Sequence, residues 1–228
     1  RPPHRLVPPV LGTWAATAAS PSTAWAALSE VDAVSGVRAA LSRGALAAVG
    51  LLGRNDGFLG NPKVRIPLPD SLRKVRSAAR IFGLDDEFEA LEVGINRAAE
   101  AAVPQAKALL VDAARKVTVR DALDIVRGGD DSVTRYFRSS AGEQIGERFL
   151  PIVSRSIGKL DLAKKYDRLA SQAGRLGLVK EDQASLDRYV TGKAVDGLFL
   201  VIAEKERSLR ADPLGSGSAI LKKVFGGL

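Results

Sequence analysis

The 228-residue chain contains no cysteine and a single histidine, His4. The absence of cysteine excludes disulfides, thiolate zinc sites, iron–sulfur clusters and thiol nucleophiles. Because His4 lies in a segment that we expect to be removed, the mature domain would also lack imidazole for general-base catalysis or metal binding. Ser/His/Asp hydrolysis and HExxH zinc sites are thereby excluded, and any chemistry would depend on carboxylates, Lys, Tyr, Ser or Thr.

Aromatic residues are scarce as well, at 5% of the chain, although 46% of its residues are hydrophobic. A core built from Ala, Leu, Val and Ile favours close packing of helices and argues against a β-sandwich or barrel. At this length, one domain is expected.

The formal net charge of +8 favours anionic partners only weakly, because a modest excess of cations usually forms a solvated surface. Loss of Arg1 and Arg5 with a leader would reduce the excess by two. The chain has no zinc finger, RNA-recognition motif or basic helix with interleaved aromatics, which argues against nucleic-acid binding.

Residues 1–26 have the organisation of a secretory leader: a positive end, an apolar stretch, and small residues at Ala24 and Ala26. We expect cleavage after Ala26 and export to the periplasm in a bacterium with two membranes. The alternative is a disordered Ala/Pro-rich extension. No later run of about 18 apolar residues follows, so we expect a soluble product without a transmembrane segment.

Beyond residue 26 the spacing of apolar residues predicts helices. The first ends near Gly53, and its apolar face is predicted to consist of Val34, Val37, Leu41, Leu46, Val49 and Leu52. Residues 54–69 are broken by glycines and prolines and predict one long extended loop, with Val64, Ile66 and Leu68 inward and Lys63 and Arg65 in water.

The remaining pattern predicts further helices and a loop over about 174–185. Six helices are expected at about 71–82, 86–102, 142–158, 162–173, 191–210 and 219–225. Three more are expected from their start signals: one from Pro104 onward, one over 118–127 with a capping box at Thr118 and Asp121, and one from an Asp130 N-cap. Pro151 is expected to mark a kink or a joint between two shorter helices. The fold class is therefore all-α: a single irregular helical bundle over 27–228, with a long extended loop at 54–69 and a short C-terminal tail helix.

The most conspicuous polar cluster is GGDD at 128–131, flanked by Arg127 and Arg135. It invites comparison with the GGDEF loop, whose acids hold Mg²⁺, but that loop lies on a hairpin, and here helical pattern lies on both sides. The structural interpretation is a glycine helix stop, an N-cap at Asp130, and Arg135 in a local ion pair.

A second cluster comprises Lys193 and Asp196, with Asp187 and Tyr189 shortly upstream. In a cleft, such a group could transfer protons if burial shifted its pKa values. The alternative is an ordinary surface ion pair between Lys193 and Asp196. Lys63 and Arg65, with Phe58 nearby, could bind a phosphate or lie on a membrane face, and the structural alternative is that both cations extend into water while the arm covers the bundle.

Several stretches together resemble one bacterial family. They are GRNDGFLGNPKVRIPLP, NRAAEAAVPQAK, GGDDSVTRYFR, VTGKAVDGLFLVIAEKER and ILKKVFG, and they run in order from about residue 28 to the C-terminus. The family is the domain of unknown function numbered 4197, usually found behind an export leader. The resemblance implies export and assigns no reaction, ligand or catalytic residue.

The function we predict is that of a non-enzymatic, exported envelope protein that binds a protein partner or a small ligand in a helical cleft. We assign no catalytic residue, cofactor or metal ligand. The candidate ligand-binding residues are Arg127, Asp130, Asp131, Arg135, Lys193 and Asp196. One alternative is a carboxylate-based, divalent-metal-dependent enzyme centred on Asp130 and Asp131, and another is a basic protein that binds polyanions.

Overall fold

The computed structural model describes residues 29–118, 122–175 and 186–226. Within these ranges the chain is all-α, as the sequence predicts, with two short 3-10 turns and no strand. The helices are α1 (Glu30–Leu52), α2 (Asp70–Ala79), α3 (Asp85–Ala102), α4 (Lys107–Arg115), α5 (Ala122–Arg127), α6 (Ser132–Lys159), α7 (Leu162–Arg175), α8 (Leu186–Ala211) and α9 (Ala219–Phe225). The 3-10 turns span Arg80–Phe82 and Val103–Ala106.

Helix α1 lies at the centre of the bundle and packs against α4, α5, α8 and α9. Small residues allow this close packing. At Gly44, an added Cβ would lie 3.0 Å from Ile202 Cγ2 on α8, so a larger residue would force the Ile202 side chain to shift. The placement of Leu46 on the apolar face was wrong: its side chain is exposed, because Ala45 and Ala48 provide the buried contacts there.

Helices α6 and α8 form a long antiparallel pair, in which Phe137 meets Phe199 edge to face with ring centroids 5.6 Å apart. The sequence predicts a kink or a joint between two shorter helices at Pro151; the joint was wrong, because α6 is one helix that includes Pro151. Pro151 and Glu147 both lie on the exposed side, so water can bond the carbonyl that loses its helical partner. Helix α8 also begins earlier than predicted, at Leu186.

Residues 54–69, which we call the arm, connect α1 to α2 without a helix or strand. Backbone hydrogen bonds such as Gly57 N–H to Arg54 O show that its first part forms successive turns, where the sequence suggested extended backbone. Four apolar side chains anchor the arm in the core: Phe58, Val64, Ile66 and Leu68.

Two polar side chains of α3 fix the arm backbone. Asn96 accepts from Ile66 N–H at 2.9 Å and donates to Ile66 O at 2.8 Å, as a neighbouring strand would. The carboxylate of Glu100 accepts the consecutive N–H groups of Phe58 and Leu59, both at 3.0 Å. Asn96 and Glu100 are buried, so these bonds form out of water, where unpaired groups would be costly.

Three sequence predictions fall on residues outside the described ranges. They are the leader at 1–26, the capping box that ends at Asp121, and most of the loop at 174–185, whose first two residues belong to α7. Among the helices that the structure does describe, none combines the length and the apolar character needed to cross a bilayer.

We predict that Phe199→Ala lowers the free energy of unfolding by roughly 3 to 5 kcal/mol, because the side chain is 2% exposed and its removal leaves a cavity beside Phe137. Leu200→Ala is the matched control, since the adjacent side chain is 39% exposed and should cost below about 1 kcal/mol. Chemical denaturation measures both, and equal losses would contradict the assignment of Phe199 to the core.

Candidate functional site

The acidic cluster lies at the start of α6, where the sequence had assigned the N-cap to Asp130. That assignment was wrong. Asp131 is the N-cap residue and its side chain makes no capping hydrogen bond. The Asp131 carboxylate instead pairs with Arg135 and with Arg207 of α8, each at 2.9 Å, while Asp130 and Arg127 are exposed.

The cap of α6 comes from a residue that the sequence analysis missed. The carboxylate of Glu206 on α8 accepts the N–H groups of Val133 at 3.0 Å and Thr134 at 2.8 Å, and the Thr134 hydroxyl at 2.6 Å. A negative charge at a helix N-terminus is favoured by the unpaired amides and by the helix dipole. One signal was present in the sequence: Glu206 continues the apolar stripe of α8 one turn beyond Ile202.

Arg210 forms a buried ion pair with Glu206, and we call this pair, with the α6 amides that it caps, the Glu206 centre. Its guanidinium donates to Glu206 at 3.0 Å, to Val126 O at 2.9 Å and to the Ser132 hydroxyl at 2.8 Å. It also lies 4.9 Å from the centroid of the Phe225 ring on α9, a cation–π distance. Glu206 is 3% exposed, so removal of Arg210 would leave a buried charge without its counterion.

The second predicted cluster does not form as expected. Asp196 pairs with Arg138 of α6 and not with Lys193, whose ammonium lies 5.9 Å from the centroid of the Tyr189 ring. Asp196 and Arg207 are eleven residues apart on α8, which places them about 16 Å apart along the helix. The six predicted ligand-binding residues therefore belong to two separate places.

Lys193 and Asp196 instead line a cleft of about 190 Å³ between α8 and the arm, together with Lys63 and Arg65. Protein carboxylates already compensate most of its cations: Lys63 pairs with Glu204 at 2.6 Å, and Arg65 with Glu92 at 2.9 Å.

Tyr189 helps to hold the arm beside this cleft. Its hydroxyl donates to Pro67 O at 2.9 Å. Burial raises the pKa of Tyr189, so the phenol keeps the proton that it donates.

A larger cleft of about 410 Å³ lies between α1, α8 and the loop that follows α8, and we call it the α1–α8 cleft. It is lined by Arg43, Gly44, Ala47, Lys205, Ser208, Leu209, Asp212, Gly215 and Ser216. No motif pointed to it, because its residues come from segments about 160 positions apart in the chain.

The charges in the α1–α8 cleft are not balanced. Arg43 donates to the carbonyl of Ser216, and the Asp212 carboxylate accepts Gly215 N–H at 2.8 Å. In the part of the chain that the structure describes, neither Arg43 nor Lys205 forms an ion pair. The lining therefore carries two cations against the single carboxylate of Asp212, beside the apolar surface of Ala47 and Leu209.

The model of one family, described as a protein of unknown function (DUF4197), matches residues 27–226. The chain belongs to the DUF4197 family. This confirms the resemblance drawn from the five sequence stretches, and the match includes both clefts and the Glu206 centre. Comparisons with curated proteins and with solved structures gave no match.

In this DUF4197 protein, no group of three or more His, Cys, Asp or Glu side chains in the described ranges is placed to hold a metal ion. Asp130 and Asp131 are adjacent in sequence, but Asp131 is engaged by two arginines, Arg135 and Arg207.

We predict that Glu206→Gln lowers the free energy of unfolding by roughly 3 to 5 kcal/mol, because it leaves the Arg210 charge buried without a counterion and weakens the α6 cap. Glu204→Gln, on the same helix, is the control: Glu204 pairs with the largely exposed Lys63 and should cost below about 1 kcal/mol. Urea unfolding of both variants measures the difference. Similar losses for the two would mean that Glu206 has no special structural role.

Proposed function

We propose that this protein is a non-catalytic binding protein and that its ligand is a small amphipathic anion held in the α1–α8 cleft. The proposal is supported by the excess of cations in the cleft: within the described ranges Arg43 and Lys205 form no ion pair, and they lie beside an apolar surface and only one carboxylate, Asp212. A carboxylate or similar acid group would neutralise the cations, and an apolar tail would cover Ala47 and Leu209.

The size of the cleft is consistent with this ligand class. Small-molecule sites usually enclose about 300 to 1,000 Å³ and combine an apolar lining with a few polar groups that orient the ligand. The α1–α8 cleft has a volume of about 410 Å³ and adds the hydroxyls of Ser208 and Ser216 to its two cations. Both hydroxyls donate to backbone carbonyls, Ser208 to Glu204 O at 2.9 Å and Ser216 to Pro213 O at 2.6 Å, so the two cations are the groups that would bind the acid.

The carboxylate-enzyme alternative has less support. Its acids are Asp130, Asp131 and Asp196, and the last lies on α8 about 16 Å from Arg207, the partner of Asp131. Asp131 and Asp196 are both paired with arginines, which leaves their charges compensated. The binding proposal therefore stands first, and we extend it to an exported envelope protein on the basis of the leader pattern at 1–26.

The test is thermal unfolding of the full chain in the presence of octanoate or phenylacetate, compared with the neutral amides octanamide and phenylacetamide. A ligand that binds only the folded state stabilises it by about 2.7 kcal/mol at one hundred times its Kd, which corresponds to a rise of several degrees in Tm. We expect a rise with at least one acid and none with its amide.

Lys205→Gln should abolish most of this rise, because it removes one of the two cations that would bind the acid group. Lys193→Gln is the control, since Lys193 is also an exposed lysine of α8 but lines the cleft beside the arm. Loss of the shift in the control alone would move the ligand to that other cleft. No shift with either acid, or a shift unchanged in Lys205→Gln, would contradict the proposal.

A further inference from the structure

Asp212, the first residue after α8, contributes the carboxylate in the lining of the α1–α8 cleft. Its amide still donates to Ser208 O at 3.0 Å, which continues the helical pattern by one residue. Asp212 follows Lys205 by seven residues, nearly two full turns of helix, so both side chains fall on one face of α8. Ser208 and Leu209 lie between them on that face and also line the cleft. The wall that carries Lys205 therefore carries Asp212 as well.

The loop after α8 holds the Asp212 carboxylate in place. Its Oδ1 atom accepts Gly215 N–H at 2.8 Å. Its Oδ2 atom lies against Gly215 on the side where a larger residue would carry Cβ, so an added Cβ would collide with it. Gly217 has φ 67°, a conformation that favours glycine, and the Ser216 carbonyl accepts from Arg43 on α1. The loop thus fixes the position of a negative charge beside the cleft.

No protein cation neutralises that charge over the ranges that the structure describes. Asp212 takes part in no ion pair there, and the donor that it engages is a neutral amide. The lining has two positive charges, those of Arg43 and Lys205, against this single negative one. A ligand with one negative charge would leave the occupied cleft neutral. A ligand with two would bring in a carboxylate that has no cation of its own, at a cost in desolvation and in repulsion from Asp212.

We propose that Asp212 sets the charge of the ligand and restricts the α1–α8 cleft to monoanions, that is, acids with one carboxylate or sulfonate and an apolar tail. The inference rests on the proposed function of this cleft and narrows its ligand class. It sets aside dicarboxylates and phosphate monoesters, because a phosphate monoester carries about two negative charges near neutral pH.

The structural alternative is that Asp212 serves only to form the turn with Gly215. Asp212→Asn separates the two roles, because the asparagine carbonyl can still accept Gly215 N–H while the charge is lost. Asp212→Ser is a second uncharged variant, since its hydroxyl oxygen can accept the same amide.

The experiment compares acids that differ only in charge, by calorimetric titration of the full chain at pH 8. Hexylmalonate is octanoate with a second carboxylate on the carbon next to the first, and phenylmalonate is related to phenylacetate in the same way. Wild type should bind the monoanion of at least one pair more tightly than its dianion. Asp212→Asn should shift the ratio of the two Kd values toward the dianion by roughly threefold to tenfold, the effect of removing one like charge several ångströms away in a hydrated cleft.

Asp196→Asn is the matched control. It removes the same charge from an exposed carboxylate of the same helix, sixteen residues earlier in the chain. That spacing is about 24 Å along the helix, well beyond the Debye length of about 8 Å at physiological salt. The ratio of Kd values for Asp196→Asn should therefore equal that of wild type. Added salt should reduce the difference between wild type and Asp212→Asn, because it screens the repulsion.

Two results would overturn the inference while the proposed function stands. In the first, a monoacid binds wild type but its malonate binds as tightly. In the second, Asp212→Asn and Asp212→Ser fold and bind the monoacid but keep the wild-type ratio of Kd values, which would make Asp212 a residue of the turn alone. If neither octanoate nor phenylacetate binds wild type, the proposed function fails, and this inference fails with it.

Discussion

The interaction on which the bundle depends most is the buried hydrogen bonding between the Glu206 carboxylate and the first amides of α6. Glu206 accepts from Val133, from Thr134 and from Arg210, and it lies where α5, α6, α8 and α9 meet. The carboxylate satisfies amides that have no partner within their own helix, and the guanidinium balances its charge. This centre joins the α6 N-terminus to the last turns of α8 inside the core, in addition to the surface ion pair between Asp131 and Arg207.

The same arrangement occurs a second time, at the arm. Glu100 accepts two consecutive amides, those of Phe58 and Leu59, and is paired with Arg97 at 2.7 Å. The hydrogen bond with Glu100 is the main reason why the pKa of Arg97 is raised. In both places a buried glutamate organises backbone from another element, and an arginine on its own helix compensates it. Buried ion pairs thereby fix both the arm and the α6 N-terminus. Lys205 and Leu209, which line the α1–α8 cleft, lie on the same turns of α8 as the Glu206 centre.

Local patterns in the sequence predicted the helices, the buried Phe199, and the alternation of Val64, Ile66 and Leu68 toward the core. They failed wherever the deciding partner is distant in the chain. Asp131 appeared free to act with Asp130 because Arg207 lies 76 positions away, and Asp196 is paired with Arg138, 58 positions earlier, where Lys193 was the local choice. The α1–α8 cleft could not be predicted for the same reason. An acid on an apolar stripe, as at Glu206, is the one local signal that could have revealed the buried centre.

The most direct test of this account is a double-mutant cycle between Glu206→Gln and Arg210→Met, measured by urea unfolding at neutral pH. If the two side chains act as one buried unit, either substitution alone leaves an unbalanced or unsatisfied group, and the second should add little. The coupling free energy should then be at least about 1.5 kcal/mol. Free energies of unfolding that add to within about 0.5 kcal/mol would contradict the account, because the carboxylate and the guanidinium would then contribute independently.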